Sequence, residues 1–212
     1  MIKLVAFDLD GTIGETIPMC IEAFRKSVSP YAGHFLTDKE IVETFGMNEV
    51  GMVKAIVSDN WQGALKDFYQ VYEEMHSEFR TPYNGIKELL QGLRDRGTKT
   101  ALITGKGEKS CKITLKQFGL LDIFDDVLTG SETGKVKAES ITFLLNKYRL
   151  SCDECVYIGD TLSDIEEAQQ AGVICLSALW GITADKENIS KKNPDFQFYT
   201  VDEVTKYLLK RV

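Results

Sequence analysis

The stretch Lys3-Leu4-Val5-Ala6-Phe7-Asp8-Leu9-Asp10-Gly11-Thr12 decides how the rest of the chain is read. Lys3 to Phe7 form a short β-rich run that stops abruptly in a polar turn, the pattern of a buried strand. In open parallel sheets such strand ends are where ligands gather.

Outward from this strand, the chain from about Glu15 to Arg80 has a helical rhythm. Ile21, Phe24 and Val28 share a face, and Trp61, Leu65, Phe68, Tyr72, Met75 and Phe79 recur at alternating spacings of four and three. After Thr81-Pro82-Tyr83-Asn84-Gly85 the rhythm changes to helix and strand in turn. A helix carries Ile86, Leu89, Leu90 and Leu93 and closes at Gly97; a strand follows over Lys99 to Ile103. Next come a helix from about Glu108 to Phe118, a short strand near Val127-Leu128, and a helix bearing Ile141, Leu144, Leu145 and Tyr148. Cys155 to Ile158 reads as a strand, Asp164 to Ala171 as a helix and Val173 to Leu176 as a strand. This alternation predicts an α/β fold built on a parallel sheet covered on both faces. The segment between the first strand and the rest is too long and too periodic to be a loop. The predicted organisation is therefore a core from residues 1–14 and 82–212 with an inserted helical cap, residues 15–81, overhanging the strand ends.

Composition narrows the function classes. The 212 residues carry 25 Lys and Arg against 32 Asp and Glu, a net charge of −7 that repels the phosphates of nucleic acids and anionic lipids. Asp8, Asp10 and Glu15 break the early apolar stretch, and nowhere do eighteen apolar residues run uninterrupted, so neither a signal peptide nor a membrane span is expected. Cys20, Cys111, Cys152, Cys155 and Cys175 form an odd, scattered set unlike a disulfide framework, which points to the cytoplasm. A small-molecule partner fits this balance, with the chain acting as a monomer or homodimer.

Polar residues concentrate after three strands: Asp8-x-Asp10-Gly11-Thr12, Thr104-Gly105-Lys106, and Gly159-Asp160-Thr161-Leu162-Ser163-Asp164. In a parallel sheet these ends converge. Four carboxylates in one crevice would repel one another unless a cation joined them, and hard oxygen ligands describe Mg²⁺.

These motifs together, Asp8-Leu9-Asp10-Gly11-Thr12 with Thr104, Lys137 and Gly159-Asp160-x₃-Asp164, resemble the haloacid dehalogenase superfamily. The position of the helical insert is similar to its phosphoglycolate phosphatase and β-phosphoglucomutase branch. The resemblance implies a Rossmann-like core and a Mg²⁺-dependent phosphatase acting on a small phosphorylated metabolite. It implies that Asp8 attacks phosphorus to give an aspartyl phosphate, while Asp10 protonates the leaving oxygen and later activates water. Asp8, Leu9, Asp10, Thr104, Gly105 and Lys137 would surround the phosphate; Asp8, Asp10 through its backbone carbonyl, Asp160 and Asp164 would hold the metal. Lys137 is followed by Ala138 where the family usually has Pro, and Lys135 lies two residues away as the alternative phosphate lysine.

A phosphomutase is the alternative reading, although Phe45-Gly46-Met47-Asn48-Glu49 lacks the Arg with which such relatives hold a second phosphate. Haloacid dehalogenation is disfavoured by Asp10, and a non-catalytic module by the joint presence of Asp8, Asp10 and Asp160. Other features read as structural. Cys152-x-x-Cys155 has no partner pair, His34 and His76 lie in the expected cap, and Lys106, Lys109, Lys112 and Lys116 suit one solvated helix face, with Lys106 nearest the site.

Overall fold

Leu4–Phe7 make strand β1, and all four residues are buried. Val5 and Phe7 enter one apolar layer and Leu4 and Ala6 the opposite one, as the two-residue period of a strand requires. A strand covered on both faces has no polar side, which is why its sequence reads as an unbroken apolar run. The computed structural model describes residues 1–212.

Four helices follow β1: α1 (Ile17–Ala32), α2 (Asp38–Val42), α3 (Glu49–Ile56) and α4 (Trp61–His76). Helices and strands then alternate: α5 (Ile86–Arg94), β2 (Lys99–Ile103), α6 (Glu108–Phe118), β3 (Asp126–Leu128), α7 (Lys137–Tyr148), β4 (Cys155–Gly159), α8 (Leu162–Gln170), β5 (Ile174–Ala178), α9 (Lys186–Lys192), β6 (Gln197–Phe198) and α10 (Val201–Leu208). All strands are parallel, in the order β3-β2-β1-β4-β5-β6. The α/β class expected from the sequence is the one observed. On one face α5, α6 and α10 supply Leu89, Leu115 and Val204; on the other α7, α8 and α9 supply Leu144, Ile165 and Ile189.

The sheet order places β1 between β2 and β4, where the winding reverses. Phe7 is level with Leu102 of β2 and Ile158 of β4, so Asp8, Thr104 and Asp160 leave the sheet at the same edge. This is the crevice in which doubly wound sheets bind ligands.

Helices α1 to α4 pack around their own cluster, with Phe24, Val28, Ile41, Val53, Phe68 and Tyr72 at its centre. That cluster also takes in Ile113 of α6, so the helical unit is welded to the sheet layer rather than merely tethered. A hydrogen-bonded chain reinforces the contact: the Tyr72 and Thr114 hydroxyls are 2.7 Å apart, Thr114 Oγ1 lies 3.1 Å from His76 Nε2, and His76 Nδ1 donates to the Phe79 carbonyl at 2.8 Å. At the other end of the unit, buried Glu49 accepts from the Gly107 N–H at 2.8 Å and from the Ser110 hydroxyl. Asn48 donates from its backbone to Ser131 and from its side chain to Gly130. No helix is long and apolar enough to cross a membrane.

Several boundaries differ from expectation. The helical rhythm to Phe79 overruns α4, which ends at His76, and Phe79 is exposed. Thr161 caps α8 through a reciprocal pair with Asp164, so the helix begins at Leu162 rather than at Asp164. β5 runs Ile174–Ala178 rather than Val173 to Leu176. The elements α9, β6 and α10 lie beyond the last predicted strand. Only α10 carries a readable stripe, Val201, Val204 and Leu208; α9 buries Ile189 alone and β6 has two residues.

Candidate active site

Asp8 follows β1 directly and its backbone N–H donates to the Ile158 carbonyl at 2.8 Å, which fixes it to the neighbouring strand. Its side chain is buried and lies among those of Asp160 and Asp164, with one carboxylate oxygen from each residue within 4.8 Å of the others. Asp160 is pinned by the Thr12 hydroxyl at 2.9 Å. The turn needs Gly11: its φ is +80°, and a Cβ there would stand 2.1 Å from Asp160 Oδ2.

Asp164 is occupied on both oxygens. Oδ2 accepts from the Thr161 backbone at 3.0 Å and hydroxyl at 2.6 Å, while Oδ1 accepts from the Tyr157 hydroxyl at 3.0 Å and from Lys137 Nζ at 2.6 Å. The same ammonium lies 3.0 Å from Asp8 Oδ1. Lys137 is the first residue of α7, a helix with no side-chain cap of its own. Glu167 on α8 takes that role, accepting the Lys137 N–H at 2.7 Å and the Ala138 N–H at 3.2 Å. With Ala rather than Pro at 138 there is an additional N–H to satisfy, and Glu167 satisfies it. Lys135 turns away to Glu166 at 3.8 Å with two-thirds of its side chain exposed.

The electrostatics follow from burial. Desolvation, reinforced by the charges of Asp164 and Asp10 and opposed by Lys137, pushes the Asp8 carboxyl up to about 7. Burial beside Asp8 and Asp164 raises Asp160 well above the usual carboxylate range. Burial also works against ionised Asp164, but the Lys137 ammonium and the Thr161 donors outweigh it and hold that carboxyl low. Lys137 is driven the same way: burial lowers its pKa, yet its two carboxylate partners raise it further. Ionising all three buried carboxyls beside one ammonium calls for further positive charge, which a hard divalent cation with oxygen ligands would supply.

The expected convergence of four carboxylates is not what the structure shows. Asp10 turns away from the trio: its Oδ1 accepts the Thr16 hydroxyl and lies 3.3 Å from Lys106 Nζ. Lys106 does not continue a lysine stripe on α6, because it precedes the helix, whose cap residue is Gly107. It is 8% exposed, sits 4.7 Å from the centre of the Tyr72 ring and donates to the Cys20 sulfur at 3.1 Å. Burial disfavours its charge, but Asp10 and its other neighbours raise its pKa well above the ordinary lysine value.

Asp8 and Asp10 border one cavity of about 800 Å³, together with Gly105, Lys106, Lys137 and residues of the helical unit. Thr104 follows β2 beside the cavity without lining it; its Oγ1 accepts the Lys106 N–H at 3.2 Å. The Leu9 side chain belongs to the apolar layer, leaving its backbone to the turn. Of the other residues considered, His34 is exposed beside Glu40, His76 is buried in the helix contact, and Cys152 and Cys155 are free thiols.

Sequence reasoning missed Thr16, Tyr157, Glu167 and the pairing of Lys106 with Asp10. Lys106 carried one signal, its place at a strand end after Thr104-Gly105. Glu167 carried none, since its partners are thirty residues away.

The fold and this strand-end cluster define a doubly wound α/β protein with a buried carboxylate site at its switch point. The model of the haloacid dehalogenase-like hydrolase family matches residues 5–178, and the chain belongs to that family. A protein of Caldanaerobacter subterraneus subsp. tengcongensis, provisionally named pyrophosphatase PpaX, is 30% identical over 198 residues, covering 92% of this chain and 89% of that one. A phosphoglycolate phosphatase of Vibrio vulnificus is 27% identical, over 92% and 91% of the two chains. The crystal structure of a predicted phosphoglycolate phosphatase from Haemophilus somnus 129PT has the same fold, with a TM-score of 0.81 over 98% of both chains at 21% identity. The protein is thus an enzyme of the phosphatase group of this hydrolase family.

Proposed function

We propose that the protein hydrolyses a small phosphate monoester through an aspartyl phosphate on Asp8. One observation carries the reading: Asp8 and Asp10 border the same cavity but have been given different partners. Asp8 lies against Lys137 in a buried carboxylate cluster, whereas Asp10 is held outside it by Thr16 and Lys106. Two carboxylates in unlike surroundings suit two roles.

In the first half-reaction an Asp8 oxygen bonds to phosphorus as the bond to the ester oxygen breaks, and Asp10 gives that oxygen its proton. In the second, Asp10 takes a proton from water, the water oxygen attacks phosphorus, and the bond to Asp8 breaks to release inorganic phosphate. Lys137 neutralises phosphate oxygens beside Asp8, and the Thr104 hydroxyl, which donates to no protein group, turns its hydrogen to another. Leu9 and Gly105 offer backbone to the phosphate. Asp8, Asp160 and the Asp10 carbonyl would hold Mg²⁺, with Asp164 orienting Lys137 at its edge. When bound, the ion offsets the charge of carboxylate and phosphate as they approach.

The helical unit, residues 15–81, serves in this proposal as the cap over the reacting groups, and five free thiols suit a cytoplasmic setting. Transfer back to a sugar, as in a mutase, requires a hold on a second phosphate, and the cap offers the cavity no cationic side chain.

The test is acid quenching during turnover of p-nitrophenyl phosphate with Mg²⁺, followed by peptide mass spectrometry. A phosphoryl adduct on Asp8 and loss of turnover in Asp8→Asn are expected. Retained turnover in Asp8→Asn would sink the nucleophile assignment.

A further inference from the structure

The cavity has two chemically distinct halves. The strand ends and the loops after them supply its charged groups, including Asp8, Asp10, Lys106 and Lys137. The wall from α1 to α4 is made by Ile17, Phe24, Phe45, Met47, Met52 and Phe68, with the Cys20 thiol among them and no oxygen or nitrogen side chain on it. In a chain with 27% charged residues, such a wall facing a reactive centre calls for an explanation.

Each cation bordering the cavity already faces a carboxylate. Lys137 is held by Asp8 and Asp164, Lys106 by Asp10, and Lys135 at the mouth faces Glu166. A leaving group with a second negative charge would lose its hydration against the apolar side chains of α1 to α4, which offer it no cation, and that is unfavourable. An apolar body would be favoured on the same wall, since the hydrophobic gain scales with the area covered. A cavity of about 800 Å³ also exceeds what a phosphate and a two-carbon acid fill.

We propose that the alcohol released by this enzyme has an uncharged, apolar body. Its preferred substrates are then phosphate monoesters of aliphatic or arylalkyl alcohols, rather than a phosphorylated acid or pyrophosphate. The inference rests on the hydrolase reading above and adds the chemistry of the leaving group. Phosphate is held at the strand ends, and Ile17, Met47 and Met52 select the rest of the substrate.

The full-length protein with Mg²⁺ is assayed for released phosphate on ethyl, butyl, hexyl and benzyl phosphate, beside phosphoglycolate and pyrophosphate. kcat/KM should rise about threefold per added methylene from ethyl to hexyl. Hexyl and benzyl phosphate should exceed phosphoglycolate and pyrophosphate at least about tenfold. In Met47→Arg the rise should flatten and phosphoglycolate should gain, while Met47→Leu keeps the original order. A flat series, or a preference for phosphoglycolate or pyrophosphate, overturns the proposal and leaves the hydrolase intact. An unchanged order in folded Met47→Arg overturns it as well. No release from any ester, with no adduct on Asp8, removes the hydrolase reading and this inference with it.

Discussion

The Lys106 ammonium stands 3.3 Å from Asp10 Oδ1, with 8% of one side chain and 19% of the other in contact with solvent. Neither charge is comfortable there alone. Removing one partner of such a pair strands the other, at a cost of about 3 kcal/mol. Lys106→Met should therefore lower the urea midpoint clearly, and Lys106→Met with Asp10→Asn should lose less than the sum of the two single changes. Additive losses would mean that the two groups do not interact.

Glu167 caps a helix that is not its own. Because it accepts the N–H groups of Lys137 and Ala138, Glu167→Ala should cost about 1 kcal/mol of stability. It should also slow kcat about tenfold with KM nearly unchanged, by loosening the ammonium against Asp8. Glu167→Gln keeps an acceptor and should recover much of both. An activity loss with no recovery in Gln would point to a role for the carboxylate charge instead.

Metal removal should abolish turnover and Mg²⁺ restore it, whereas Ca²⁺ should bind and inhibit, because its larger and more flexible shell misplaces Asp8. A readout free of activity is the melting temperature, which should rise with Mg²⁺ in the wild type and much less in Asp160→Ala. Equal shifts in both proteins would remove Asp160 from the ligand set.

His76 ties α4 to α6 only as a neutral ring: Nδ1 donates to Phe79, so Nε2 must accept from Thr114. Burial lowers its pKa below the ordinary 6.5, against the pull of the Phe79 carbonyl. The unfolded chain then takes up the proton first as pH falls, so this contribution to stability is complete above about 6.5 and lost through the lower folded value. Between pH 8 and pH 5 the urea midpoint of the wild type should fall relative to that of His76→Gln, and the difference isolates His76 from the buried carboxylates. Parallel midpoints would show that folding does not shift the His76 pKa, and a relative rise toward pH 5 that the folded protein holds the ring charged.

The α/β class, the strand carrying Asp8, the helical character of the segment after it and the order of elements from α5 through β5 were legible in the sequence, because each depends on a local period or a strand end a few residues long, whereas α2 and α3 were not read as separate helices. Asp8, Asp10 and Asp160 could be singled out for the same reason: they follow apolar runs that can only be strands. The overrun at Phe79 and the late start assigned to α8 show where local pattern stops. Helix ends are settled by partners such as the Phe79 carbonyl and the Thr161 hydroxyl. Tertiary structure alone decided that Asp10 leaves the carboxylate cluster for Lys106, that Lys137 rather than Lys135 faces Asp8, and that Glu167 sets the start of α7. It also decided which apolar residues of the helical unit line the cavity, since Phe24 of α1 and Phe68 of α4 meet in one cluster that serves both packing and enclosure. The physical reason is distance along the chain. Periodicity reports which face of an element is apolar, but the charge or wall that face meets comes from an element many residues away, and only the folded packing brings them within a few ångströms.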